Sequence, residues 1–297
     1  MAPRTVHLVD GHVYIFRAWF AMSEMRAPDG RPTHAAYGFA NMLLRHLRER
    51  RPSHMAVCFD HAMTSFRNEL FPAYKAQRGE PDADLELQFD LCRRAATALG
   101  FPVFECEGFE ADDVIATLAR GLLAKPDVEV AIHTTDKDLS QLVREDGRAW
   151  LADFGKDDVV DADAVRAKFG VDPAQIPDYL GLVGDKVDNL PGVPGVGAKT
   201  AAAALRAFRR IEDIPADAAR WDGLGIRGAA RAALRIATHR DAALATRALA
   251  TVRADVPGLR AGLRELALRG ADRAAVEPLF AELGWGRIAS RIPVWAD

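Results

Sequence analysis

Val-Glu-Val-Ala-Ile-His-Thr-Thr-Asp-Lys-Asp, residues 128–138, is the stretch on which the fold class turns. Its first six residues form an apolar run of strand length, and two acids, Asp136 and Asp138, follow where the strand runs into its loop. The same pattern recurs upstream. Residues 5–9 end at Asp10, residues 55–59 at Asp60, and residues 102–104 lead into Glu110, Asp112 and Asp113. Helical patterns over 34–50, 84–99 and 111–123 separate these runs. Strands alternating with helices predict an α/β fold with a parallel sheet. In such sheets ligands sit beyond the carboxyl ends of the strands, so the acids are expected to converge on one edge. A short helix over 139–143 and edge strands at 149–152 and 158–160 complete the pattern. From about residue 173 the strand signal stops, and helices broken at 192–197, 223–228 and 257–262 take over. The expected organisation is an α/β domain over 1–172 and a helical region over 173–297. Ala-Arg repetition between 198 and 275 has no repeat period and reads as compositional bias.

The 297 residues are 49% hydrophobic and 27% charged with a net charge of −3, the composition of a globular chain with ample core. Cys58, Cys92 and Cys106 are widely spaced, which excludes a disulfide framework and a cysteine zinc site and fits a reducing, cytoplasmic setting. No apolar run reaches membrane-spanning length, and the N-terminus lacks an export signal. The eight histidines show no ligand spacing, and His133 reads as an ordinary strand residue. Neither a Walker loop nor a dinucleotide fingerprint occurs, so nucleotide-driven work is not indicated.

With the further pair Asp185 and Asp188, nine carboxylates stand at loop or helix-start positions. Any one of them could simply cap a helix. Together they would repel strongly and need protons or cations to coexist. All-oxygen ligation points to Mg2+ or Mn2+ over Zn2+. Setting the nine aside turns the net charge from −3 to +6, so the remaining surface is basic. An acidic, metal-loaded pocket on a basic protein suits phosphodiester hydrolysis, where one ion activates water and a second stabilises the leaving oxygen. Nine carboxylates exceed the direct ligands two ions need, so several should act through bound water.

Leu-Val-Asp-Gly at 8–11, Phe-Asp at 59–60, Gly-Phe-Glu-Ala-Asp-Asp at 108–113, Thr-Thr-Asp-Lys-Asp at 134–138 and Gly-Asp-Lys-Val-Asp-Asn at 184–189 occur in that order. Together they resemble the bacterial and phage 5′ nuclease family, which includes the 5′-3′ exonuclease domain of DNA polymerase I and the flap endonucleases. The resemblance runs from about residue 4 to 285. It implies a three-layer, PIN-like nuclease domain followed by a helix-three-turn-helix DNA-binding part. By motif, Asp10, Asp60, Glu110, Asp112 and Asp113 resemble one group of metal-site acids, and Asp136, Asp138, Asp185 and Asp188 the other. Val187 departs from the serine common in the last motif, without loss of either flanking Asp.

The same resemblance implies a helical arch at about 61–95, carried by Ser65-Phe66-Arg67 and by Tyr74-Lys75-Ala76-Gln77-Arg78. Lys75 and Arg78 are expected to attract the scissile phosphate, Tyr74 to offer its ring to an unstacked base, and Arg67 to contact DNA. Arg17 is placed either at a phosphate or in an ion pair. Only 7 of the cations are Lys against 32 Arg, yet Lys75, Lys137, Lys186 and Lys199 all fall inside these motifs. Residues 189–210 resemble a helix-hairpin-helix. Gly195, Val196, Gly197, Lys199 and Thr200 are its expected duplex contacts, with K+ as the implied monovalent ion. The reading is a standalone, monomeric, two-metal 5′-3′ exonuclease or flap endonuclease. Its implied substrates are DNA with 5′ ends or flaps, including RNA-DNA primer junctions, and it would cooperate with a polymerase and a ligase. The competing readings are a noncatalytic branched-DNA-binding module and a PIN-like endoribonuclease.

Overall fold

A computed structural model describes residues 3–296. Six strands, β1 (Arg4–Asp10), β2 (His54–Cys58), β3 (Val103–Phe104), β4 (Val128–His133), β5 (Ala149–Ala152) and β6 (Val159–Val160), form one sheet in the order β3-β2-β1-β4-β5-β6. All neighbours pair in parallel except β5 with β6. The chain turns from one side of the sheet to the other beside β1, which lies between β2 and β4. That switch is where an open α/β sheet leaves a crevice at its carboxyl edge.

Two helices, α1 (Gly11–Ala21) and α2 (His34–Arg50), follow β1 and cover one face. The expected strand-to-helix pattern omits α1. Its residues are almost all apolar, aromatic or β-branched, and no acid marks its first turn, so only Asp10 at its N-cap signals a start. Next come α3 (Phe66–Leu70), α4 (Ala83–Ala98) and α5 (Ala111–Leu123), then α6 (Ala162–Phe169), α7 (Ile176–Val183), α8 (Ala198–Phe208), α9 (Ala229–Thr238) and α10 (Arg240–Ala250). The C-terminal helices are α11 (Leu263–Leu266), α12 (Arg273–Glu282) and α13 (Gly286–Ala289). No helix among the described residues is long and apolar enough to cross a membrane.

Alternation along the strands builds two cores. Val6 and Leu8 join Ile115 and Leu118 of α5, in a core that continues into Leu180, Leu205 and Ile236 of the helical half. Val9, Met55 and Val57 face the other way, against Phe39 and Leu43 of α2 and Phe89 of α4. Val276, Phe280, Trp285 and Ile288 from α12 and α13 complete that second core, so the last helices pack under the first strands. Their approach is tight. Gly100 has φ +83, and a Cβ there would lie 1.9 Å from the carbonyl oxygen of Gly270.

One buried ion pair ties three parts of the molecule together. Arg67 of α3 is 3% exposed and grips the fully buried Asp113 of α5 through two bonds of 2.7 and 2.8 Å. Its guanidinium also donates to the carbonyls of Leu249 and Thr251 at the end of α10. Breaking a buried pair from one side strands the other charge, at about 3–5 kcal/mol. Arg67→Met and Asp113→Leu are each expected to lose that much in denaturant unfolding, whereas the double variant recovers a large part of it. A double variant as unstable as the two losses summed would show that the pair does not act as a unit.

Candidate metal centre

Each parallel strand delivers an acid to the same edge. Asp10 ends β1 and caps α1, with Oδ1 3.4 Å from the Val13 N–H. Its Oδ2 accepts from the Thr134 hydroxyl at 2.9 Å, which fixes the carboxylate against the chain leaving β4. Asp60 lies just beyond β2; its N–H donates to His12 Nδ1 at 3.1 Å and its Oδ1 accepts from the Ala111 N–H at 2.7 Å. The start of α5 thereby holds Asp60 and presents Asp112 in its first turn.

Beyond β4, Asp136 and Asp138 do not lie along one extended strand. The strand ends at His133, and the chain turns into a 3-10 helix over Asp138–Leu142. The Asp136 carboxylate accepts the Asp138 N–H at 2.8 Å, and the Asp136 N–H donates to Thr134 Oγ1 at 3.0 Å. The turn sets Asp136 between two groups: it adds its charge to Asp10 and Asp112 and also to Asp138, which joins Asp185 and Asp188 with one carboxylate oxygen of each within 4.8 Å of the others.

The loop that brings in Asp185 and Asp188 closes through two glycines. Gly184 has φ +74, and a Cβ there would fall 2.4 Å from the Gly192 nitrogen. That close crossing permits the reciprocal bonds between Asp185 and Leu190 at 2.9 and 2.7 Å. No larger residue fits either crossing point.

The electrostatics follow from burial and crowding. Asp10 is pushed up to about 7 by burial and by the charges of Asp60 and Asp136. Asp138 also rises to about 7, through burial and Asp136, although Lys137 pulls it down. Burial, with Asp136 and Asp10 beside it, raises Asp112 well above the usual carboxylate range. Part of the negative charge is met internally. Lys75 Nζ lies 2.7 Å from Glu110, Arg78 Nη2 2.5 Å from Asp188, and Lys137 Nζ 2.5 Å from Asp185. Asp10, Asp112 and Asp136 have no Lys or Arg partner among the described residues. Asp138 Oδ1 is buried without a hydrogen bond, Lys137 Nζ being 3.3 Å away. Converging carboxylate oxygens of Asp138, Asp185 and Asp188 form a donor set that fits hard divalent cations.

Other expected residues take different places. Asp113 is turned away from the cluster: besides Arg67, its oxygens accept the N–H groups of Glu110 and Arg253. Those bonds occupy both oxygens, and Arg67, expected at DNA, is buried with it. Glu110 accepts from Ser65 at 2.8 Å and from Lys75; burial opposes its ionisation, but Lys75 and Arg67 hold it below the usual range. The Tyr74 ring is buried and cannot offer a face to a base. Its hydroxyl lies 3.2 Å from Glu110 and 3.1 Å from Asp188, and can donate to one at a time. Arg17 pairs with Asp153 at 2.6 Å.

In the hairpin, Gly195, Gly197 and Lys199 are exposed and Thr200 is half-buried at the start of α8. Val196, expected to meet duplex, is 5% exposed and packs in the core, with its N–H bonded to Val193. Several supporting roles go beyond the motif reading, two of them at residues that the motifs contain: Thr134 under Asp10 and Gln77 donating to the carbonyls of Lys186 and Val187, with Arg235 against Gly195 outside any motif. Thr134 alone carried a signal, as a hydroxyl between a strand end and an acid. Gln77 and Arg235 meet their partners only through tertiary packing.

Known proteins share this arrangement. Residues 5–170 match the 5′-3′ exonuclease N-terminal resolvase-like domain, and residues 171–274 match the 5′-3′ exonuclease C-terminal SAM fold. DNA polymerase I of Bacillus caldotenax is 39% identical over 280 residues, covering 94% of this chain and 31% of that protein. A 5′-3′ exonuclease of Aquifex aeolicus is 39% identical over 211 residues, or 71% of this chain and 72% of that one. The chain therefore spans about a third of the length of the DNA polymerase I relatives, 31% in the first case. Among solved structures, the T5 5′-exonuclease with bound zinc superposes at a TM-score of 0.66 and 22% identity, covering 85% of this chain and 91% of that one. The catalytic core of Rad2 in complex with DNA substrate gives 0.61 at 14% identity, over 96% and 89% of the two chains. Matches over both halves, with an acid-lined sheet edge between them, place the chain in the 5′-3′ exonuclease family.

Proposed function

We propose that this chain hydrolyses phosphodiester bonds of DNA bearing 5′ ends or 5′ flaps, with two divalent ions at the carboxylate edge. One observation carries the reading: carboxylate oxygens of Asp138, Asp185 and Asp188 lie within 4.8 Å of one another, and Asp10, Asp112 and Asp136 crowd one another with no Lys or Arg ion pair among the described residues. Asp10, Asp60, Asp112 and Asp136 would hold one ion, and Asp138, Asp185 and Asp188 the other, with Mg2+ or Mn2+ suited to all-oxygen ligands. Bound there, the ions supply an activated water and charge neutralisation at the phosphate.

The residues of this chain prepare that reaction. Thr134 and the Val13 N–H fix the Asp10 carboxylate, and the start of α5 fixes Asp60. Lys75 and Arg78 stand beside the acids on the segment between α3 and α4, where an incoming phosphate can compete with Glu110 and Asp188 for them. Glu110 positions Lys75 in this reading and needs no ion of its own. The exposed Gly195, Gly197, Lys199 and Thr200 offer backbone N–H groups and a cation to a duplex phosphate at the start of α8, and K+ would sit there. Substrates extend to RNA-DNA primer junctions, in cooperation with a polymerase and a ligase and with the chain acting as a monomer.

A 5′-flap duplex assayed with Mg2+, Mn2+ or EDTA tests the reading. Asp112→Ala and Asp136→Ala are expected to lose at least about 100-fold in kcat, since several kcal/mol of charge stabilisation disappear. Tight flap binding without cutting in any metal would favour the noncatalytic module instead, and preference for single-stranded RNA the endoribonuclease.

The DNA contacts separate in the same assay. Lys75→Ala should slow cleavage with little change in binding. Lys199→Ala should weaken duplex binding and lower the slope of log affinity against log salt by about one. Unchanged slopes would remove the hairpin from the interface.

A pH series reads the carboxylates directly. Asp10 and Asp138 stand near 7 in the folded chain against 3.8 ordinarily, so the folded state binds more protons than the unfolded state between those values. Metal-free stability should therefore fall as pH rises from about 4 through about 7, and Mg2+ should restore it while its affinity climbs over the same range. Thermal unfolding of wild type and Asp138→Asn, with and without Mg2+, measures both; a flat metal-free profile for wild type would contradict it.

A further inference from the structure

Away from the carboxylate edge, three histidines distant in sequence meet on the α2 face of the sheet. His7 lies on β1 and His133 at the end of β4, in a register that pairs His7 with Ala131 and Val9 with His133. The two imidazoles project from the same face of adjacent strands, and His46 descends on them from α2. His7 Nδ1 lies 2.8 Å from His133 Nε2 and 3.3 Å from His46 Nε2. Three ring nitrogens thus point at one another, and the hydrogen-bond contacts of these three atoms are with each other. We propose that His7, His46 and His133 form a three-histidine site for a zinc-class divalent ion, distinct from the acidic centre.

Geometry and chemistry agree on that class of ion. Tetrahedral ligation at the usual zinc–imidazole distance separates ligand nitrogens by about 3.3–3.4 Å, the His7–His46 spacing, and a small rotation of His133 opens the third edge. Burial, with Arg50 nearby, lowers His7 to about 4 and His46 to about 3, and lowers His133 well below its ordinary value. All three rings are therefore neutral at pH 7, the form that ligates metals. Imidazole nitrogens without a carboxylate select zinc, copper or nickel over Mg2+. The charge of Arg50 is taken up by Asp157. The Phe154 ring stands 4.7 Å from both His46 and His133 and walls off one side. On the other, the three histidines line a cavity of about 320 Å3 with Arg45, Asp153 and Lys156 around it, leaving space for a water as fourth ligand.

His7 stands three residues before Asp10, and His133 three before Asp136. An ion at this site would clamp the carboxyl halves of the two strands that present those acids, from the opposite face of the sheet from α5. Its role in this proposal is to hold the strands. The alternative is a chain of N–H···N bonds, with His7 Nδ1 accepting from both neighbours. The buried His133 Nδ1 lacks a partner in either arrangement, so binding itself decides between them.

Zinc added to the full, chelator-treated chain under saturating Mg2+ distinguishes the two. The expected result is one tightly bound zinc per chain, a raised thermal midpoint, and imidazole scattering in the zinc X-ray absorption spectrum. His46→Leu should bind zinc at least tenfold more weakly while keeping its Mg2+-dependent cleavage. Oxygen-only scattering in wild type, or equal zinc binding by wild type and His46→Leu, would overturn the proposal. If His46→Leu does not fold, the wild-type spectrum decides alone.

Discussion

Mutual repulsion among carboxylates at one sheet edge is the constraint around which this molecule is built. Two like charges about 4 Å apart cost about 4 kcal/mol at an effective dielectric near 20, and several such pairs would rival the stability of a whole domain. The fold meets the cost in three ways. Asp10 and Asp138 are raised toward 7, so that protons can remain on them. Lys75, Arg78 and Lys137 are laid against the outer acids. The inner trio of Asp10, Asp112 and Asp136 makes no ion pair with Lys or Arg among the described residues, which suits the proposed cation site better than a settled ion-pair network.

Asp112 and Asp113 show how finely that division is drawn. A step of one residue turns a helical side chain by about 100°, enough to send neighbours to opposite fates. Asp112 faces the edge, whereas Asp113 is consumed by Arg67 and two backbone N–H groups. The first acid gives the site its charge, and the second anchors the segment after β2, α5 and the end of α10 to one guanidinium. A similar economy governs Tyr74. Its ring fills the core while its hydroxyl touches both Glu110 and Asp188 and so joins the two groups of acids.

Much of this was legible in the sequence because it depends on local order. The period-two and helical runs give β4, β5, α2 and α5 the bounds seen in the structure, since each is closed by a clear acid, glycine or polar break. Convergence of the acids follows from the rule that parallel strands expose one common edge. What stayed hidden is set by three-dimensional packing. Helix α1 lacks a polar face to mark its outer side, where Phe16 and Phe20 are exposed, and Arg67 looks like a surface cation until Asp113 is seen opposite it. The histidines carry no spacing rule, since His7 and His133 are 126 residues apart and meet only through strand register.

The packing of α12 and α13 beneath β1 and β2 has a consequence for how the chain acquires its shape. Phe39, Leu43, Met55 and Val57 gain their full covering only when residues 276–288 arrive, from more than two hundred positions later. Contacts of such separation slow folding, because loop closure must precede the gain from burial. During synthesis the early strands would therefore wait, with one face partly bare, until residues 276–288 have left the ribosome. A face left bare for so long is where partly folded chains associate, so the core closed by the last helices is the part of the molecule most open to aggregation before folding is complete.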